Sequence, residues 1–126
     1  LRVADIMHGG DALPAVVSGT LLKEAIVRMS EKGLGMLAVT DEAGRLKGVL
    51  TDGDLRRLFQ QRDNFAGLTV DDIMHTSPKT ITADKLATEA LKHMQANHIN
   101  GLLVTEADGT LTGALNMHDL LMARIV

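Results

Sequence analysis

The sequence predicts a mixed α+β fold made of two β-α-β-β-α units. Three observations carry that expectation. The chain repeats itself; each copy alternates short apolar runs with apolar residues at helical spacing; and each copy has a glycine-marked corner where an apolar strand runs straight into a helix. Past a short variable turn, the halves align without a gap at an offset of 65, pairing Leu21 with Leu86, Glu24 with Glu89, Ala25 with Ala90 and Met29 with Met94. Further on, Val39 meets Val104, Gly44 meets Gly109, Gly48 meets Gly113 and Asp54 meets Asp119. A period of this kind has to be recognised before any fold is argued. It divides the chain into a first repeat at 1–62, a polar linker at 63–69 and a second repeat at 70–126.

The elements follow in order. Val3-Ala4-Asp5-Ile6-Met7-His8 opens the chain, and Val70-Asp71-Asp72-Ile73-Met74-His75 echoes it. Pro14 to Val17 and Pro78 to Ile81 are short extended stretches, because proline biases its neighbours away from helix. Leu21, Leu22, Ala25, Ile26 and Met29 share one helical face, as do Leu86, Ala90, Leu91 and Met94. Thr20 and Asp84 are the expected N-caps of these helices, and Gly33 the expected end of the first. Leu34–Thr40 and Gly101–Thr105 read as buried strands. The turns at 41–45 and 106–109 carry Gly44 and Gly109 where a positive φ is needed. Arg45–Leu50 and Leu111–Leu115 return as the second strands, followed by helices from about Asp52 to Gln61 and from Met117 to the C-terminus.

Units of about 60 residues bury too little surface to be robust alone, so a pair packed face to face is expected. With only two phenylalanines and no tryptophan or tyrosine, the core must be Leu, Ile, Val, Ala and the seven Met. A net charge of −3 without a Lys/Arg cluster argues against a nucleic-acid surface, and the missing aromatics remove stacking platforms for single strands. No apolar run approaches the roughly 20 residues of a membrane span, and none reads as a signal peptide. Beginning at Leu1 with a motif almost at once, the chain is expected to be part of a longer protein.

The corner Gly48-Val49-Leu50-Thr51-Asp52-Gly53-Asp54-Leu55-Arg56-Arg57 is the first candidate site. A helix start offers N–H groups and a partial positive charge to an anion. Thr51 adds a hydroxyl, Arg56 and Arg57 add forked donors for phosphate, and Asp54, acceptor-only when ionised, suits a vicinal ribose diol. Gly48 lets a ligand or a neighbouring backbone come close. The alternative is a plain capping box with no ligand. The second corner, Asn116-Met117-His118-Asp119, replaces the hydroxyl by Asn116, which caps well but weakens the case for phosphate. Asp119 keeps a ribose-type role and His118 a possible polar contact. A base would rest between aliphatic groups, with Val16, Val17 and Ile81 on the first strands and Leu34, Met36, Ile99 and Gly101 at the helix-to-strand corners as candidates; each could equally be core. The five histidines have no metal-ligand spacing, so no metal is expected. Without cysteine or a nucleophile–base pair, the chain itself is not expected to be catalytic.

The duplicated glycine-apolar-x-Thr-x-x-Asp corner in this element order resembles the cystathionine β-synthase (CBS) domain, which occurs in tandem as a Bateman module. More narrowly, Thr51 to Arg57 and Met117 to Leu121 resemble the C-terminal module of bacterial D-arabinose 5-phosphate isomerases. The resemblance implies two units about a pseudo-two-fold axis with two clefts, and a regulatory rather than catalytic role. It implies a preceding sugar isomerase (SIS) domain as catalytic partner in lipopolysaccharide synthesis, a cytoplasmic location, and a homodimer or higher homo-oligomer. It requires no cofactor; the implied effectors are AMP or ATP, or, from the pathway, the activated sugar CMP-Kdo. A structural or oligomerisation module with degenerate clefts is the alternative.

Overall fold

The computed structural model describes residues 1–126. Its elements run α1 (Val3–Ile6), β1 (Ala15–Val17), α2 (Leu22–Lys32), β2 (Met36–Thr40), β3 (Leu46–Thr51), α3 (Asp52–Gln61), β4 (Thr80–Ile81), α4 (Ala87–Asn97), β5 (Gly101–Thr105), β6 (Leu111–Asn116) and α5 (Met117–Met122), with short 3-10 turns at Gly10–Ala12 and Val70–Asp72. The chain is a mixed α+β protein with two three-stranded sheets, ordered β1-β2-β3 and β4-β5-β6. In each sheet the first pair is parallel and the second antiparallel. Both hairpins carry a register shift at the same place, Val39/Thr40 and Val104/Thr105. No helix is long and apolar enough to cross a membrane.

The compact units do not coincide with the repeats at 1–62 and 70–126. One unit is Pro14–Pro78, and the other joins Leu1–Leu13 to Lys79–Val126. The physical reason lies in the two opening segments, which each pack on the other repeat. In the Pro14–Pro78 unit, Val70 is fully buried with Leu22, Ala25, Met29, Leu37, Val39, Leu50 and Leu55. Its N–H donates to Thr20 O at 2.9 Å, and His75 exchanges two backbone hydrogen bonds of 3.0 Å with Val49. In the other unit Val3 occupies the matching place among Ala87, Ala90, Met94, Leu102, Val104, Leu115 and Leu120. There the Val3 N–H reaches Lys85 O, and His8 exchanges backbone bonds with Ala114. Each unit is therefore completed by a segment that the linear repeat assigns elsewhere.

Gly48 is buried because this segment lies against it. A β-carbon there would meet Met74 Sδ at 2.6 Å and the His75 carbonyl at 2.7 Å. Of the two reasons to want a glycine at that point, close approach of a neighbouring backbone is the one realised.

Thr20 and Asp84 do not cap their helices. The N-caps are Leu21 and Leu86, neither with a side-chain cap bond. The first helical N–H of each is instead taken by a carbonyl remote in sequence, Leu22 N–H by Leu68 O and Ala87 N–H by Leu1 O, both at 2.8 Å. An orphan donor needs an acceptor but not a local one, and Thr20 spends its hydroxyl on Val17 O at 2.7 Å. At the other end α2 stops at Gly33 in the left-handed region, φ 69°, as expected. In α4 the equivalent position is His98, φ 54°. Helix α5 ends at Met122, well before the C-terminus, where Arg124 turns left-handed with φ 61°.

Candidate ligand-binding corners

Strand β3 passes into α3 with no intervening residue. Thr51 is both the last strand residue and the N-cap, with extended backbone at φ −125° and ψ 165°. Its hydroxyl accepts from the Asp54 N–H at 3.3 Å, and Asp54 Oδ2 accepts from the Thr51 N–H at 2.9 Å and the Thr51 hydroxyl at 3.0 Å. This is a closed capping box. Asp52, at the first helical position, donates its N–H to Gly35 O at 3.2 Å. Gly53 lies between Asp52 and Asp54 in the first turn of α3.

The other oxygen of Asp54, Oδ1, is held from two sides. Arg57 Nη2 lies 2.6 Å away and His75 Nε2 2.7 Å. An ionised carboxylate only accepts, so His75 presents Nε2 as a donor. The carboxylate is buried, its side chain 6% exposed, whereas Arg57 and His75 are 63% and 62% exposed. Burial pushes the Asp54 carboxyl up, but His75, the Thr51 N–H, Arg57 and the Thr51 hydroxyl together outweigh it and hold it below its ordinary 3.8.

The second corner repeats the box with an amide. Asn116 Oδ1 accepts the Asp119 N–H at 2.9 Å, and Asp119 Oδ2 accepts the Asn116 N–H at 2.8 Å. Asp119 Oδ1 meets His8 Nε2 at 2.8 Å, with 15% of the Asp119 side chain and 37% of His8 exposed. Where the first corner has Arg57, this one has Met122, at the same offset of 65.

The other candidates divide by position. Met36 is paired across the ladder with Thr51, and Gly101 with Asn116, so both lie beside their corners. Met36 is buried, which places it in the core of its own unit. Leu34 and Ile99 precede them, both half-buried. Val16, Val17 and Ile81 pair with Val39, Thr40 and Val104, three or four residues further along β2 and β5, a distance of about 10 Å or more along the strand. Val16 and Ile81 pack against the cores, and Val17 is exposed. Arg56 and His118 are exposed.

The histidines hydrogen-bonded to the aspartates of these corners are His8 and His75. A search for metal-ligand spacing passes over them. The signal that finds them is the repeat itself, because each closes one copy of the Val-x-Asp-Ile-Met-His segment. A hollow of about 520 Å³ lined by Met7, Thr82, Asp84, Thr105, Glu106 and Thr112 opens at the hairpin end of β5 and β6, the opposite end of those strands from Asn116.

Residues 3–61 and 70–125 each match the CBS domain. The chain belongs to the CBS domain family. This CBS pair is 48% identical, over all 126 residues, to the arabinose 5-phosphate isomerase KdsD of Pseudomonas aeruginosa, and spans 39% of that protein's length. Among solved structures it resembles CBSX2 in complex with AMP, with a TM-score of 0.82 and 27% identity, covering 98% of this chain and 96% of the other. A CBS domain protein of Pyrobaculum aerophilum complexed with AMP superposes with a TM-score of 0.87 at 20% identity, covering 99% and 94% of the two chains. That second likeness concerns the fold.

Proposed function

We propose that the CBS pair is the regulatory part of an arabinose 5-phosphate isomerase, in which a nucleotide bound at the corners adjusts a preceding SIS catalytic domain. Identity over the whole CBS pair with a KdsD isomerase more than twice as long supports the parentage. In this reading the parent acts in the cytoplasm, as a homodimer or higher homo-oligomer, in the synthesis of the lipopolysaccharide sugar. The effector favoured is an adenine nucleotide, AMP or ATP, because the similar CBSX2 structure carries AMP. CMP-Kdo has only the pathway behind it.

The observation that carries the binding proposal is the division of labour at Asp54. One oxygen is committed to the helix cap, while the other is held only by two well-exposed side chains. A ribose diol can take the outer oxygen without dismantling α3. The phosphate would then meet the Gly53 N–H, the Thr51 hydroxyl and the guanidinium groups of Arg56 and Arg57, with Met36, Val16 and Val17 as apolar candidates for the base. At the second corner Asp119, Asn116 and His118 would supply the polar contacts and Ile81, Ile99 and Gly101 the base side. A ligand regulates only through its different affinity for two states of the parent.

Calorimetry of the chain against AMP, ATP, CMP and CMP-Kdo tests this. Binding of an adenine nucleotide that Asp54→Ala abolishes, with the fold intact, is the expected result. No binding of any of the four at millimolar concentration would instead leave a structural or oligomerisation module. That second reading has its own support, since every oxygen of the two carboxylates already has a hydrogen-bond partner within its own unit.

A further inference from the structure

We infer that His75 is an internal competitor at the Asp54 corner, occupying the acceptor oxygen that a ligand diol needs and so setting how tightly the diol is held; this rests on the reading of that corner as a ribose site. The geometry has three parts. First, Asp54 Oδ1 is satisfied at 2.7 Å by His75 Nε2 and at 2.6 Å by Arg57 Nη2, so an incoming hydroxyl must displace a donor rather than fill a vacancy. Secondly, the two donors are not equally free to leave. His75 is tied at its backbone by the paired bonds to Val49, so its ring is delivered to Asp54 at little entropic cost and returns there when the ligand departs. Arg57 carries a permanent charge and lies 2.6 Å from the oxygen, so it is the harder of the two to displace. Its fork can keep the carboxylate with one nitrogen while another meets a phosphate; the imidazole is the donor that gives way. Thirdly, the arrangement is duplicated, with His8 on Asp119 Oδ1 at 2.8 Å, and there no arginine shares the oxygen.

A ligand hydroxyl therefore exchanges one hydrogen bond for another at Oδ1, and part of its affinity is spent on releasing the imidazole. A donor to a charged acceptor contributes more than a neutral one. Removing His75 should accordingly tighten AMP by about tenfold, which is one decade of Kd. The gain belongs to the diol alone.

The test is calorimetry of the whole chain with AMP and 2′,3′-dideoxy-AMP, on wild type, His75→Ala and His75→Gln, with thermal melts confirming each fold. Tighter AMP binding by His75→Ala, return toward the wild-type Kd in His75→Gln, which restores an N–H donor, and no gain for 2′,3′-dideoxy-AMP are expected. A change in the His75 ring signals in NMR spectra of the wild type on adding AMP is the accompanying readout, and it stands even if His75→Ala folds poorly. Equal AMP affinity in wild type and His75→Ala, or ring signals that do not move while AMP binds, overturns the competitor and leaves the ribose site standing. Weaker binding by His75→Ala also overturns it, making His75 a direct ligand contact. If AMP binds no variant at millimolar concentration, the ribose site itself fails and this inference fails with it.

Discussion

The two corners of the CBS pair share a backbone and differ in chemistry. Both place a capping residue at a strand end, close a box onto an aspartate three residues later, and receive a histidine from the segment that opens the other repeat. At the first corner the cap is a hydroxyl and an arginine joins the carboxylate. At the second the cap is an amide and the arginine is Met122. The shared capping box is what a helix start requires, and the hydroxyl and the arginine, found at the first corner alone, are what the proposed phosphate contact would use. Comparing matched substitutions in the two copies therefore separates what the fold needs from what a ligand needs.

The largest contrast is expected behind the corners, at the glycines. A β-carbon at Gly48 would sit 2.7 Å from the His75 carbonyl, a backbone atom that can move only with its segment. At Gly113 the nearest obstacle is the flexible Met7 side chain, and the His8 carbonyl is 3.2 Å away. Overpacking costs more where backbone must shift, so Gly48→Ala should destabilise by about 3 kcal/mol and Gly113→Ala by about 1 kcal/mol. Urea denaturation of the two variants measures both. Equal costs would mean that the two opening segments are seated alike.

Next come the aspartates. Asp54→Ala removes a cap and a partly desolvated acceptor with two charged or chargeable donors, a loss of about 2 kcal/mol, while Asp119→Ala, with one such donor, should lose about 1 kcal/mol. Acid sharpens the same comparison. Because the folded Asp54 carboxyl lies below its ordinary 3.8, its contribution is complete above that value and is lost as pH falls through the folded pKa. Asp54→Asn should flatten the decline in melting temperature below pH 4, and an unchanged decline would show that other carboxylates drive acid unfolding.

These contrasts also mark how far the residues themselves told the story. The repeat, the hairpins with Gly44 and Gly109, the stop at Gly33 and the Thr51–Asp54 box were all readable, because each depends on spacing within one stretch of chain. The exchange of opening segments was not. Val3 and Val70 sit in mixed, short stretches with no period, and nothing local says which core they enter. The helix N-caps failed for the same reason, since Leu68 O and Leu1 O are acceptors supplied from a distance. His8 and His75 lay in plain view in the repeated segment, but their partners, Asp119 and Asp54, are defined only once that segment has crossed over.

The smallest effect concerns the ends of α2 and α4. Gly33 and His98 occupy matched positions, both left-handed, φ 69° and φ 54°. Glycine accepts that region without penalty, whereas a side chain is strained there, histidine less than most. His98→Gly relieves this strain but enlarges the unfolded ensemble, so the net gain should be about 0.5 kcal/mol. Gly33→His has both terms reversed and should lose about as much. No β-carbon contact within 4 Å awaits a side chain at Gly33, so the backbone alone decides the sign. Melting curves of the two single variants and of the double exchange should show opposite shifts that nearly cancel. A His98→Gly variant less stable than the parent would mean that the His98 ring contributes more than its backbone strain costs, and the two helix ends would then differ in packing and not only in φ.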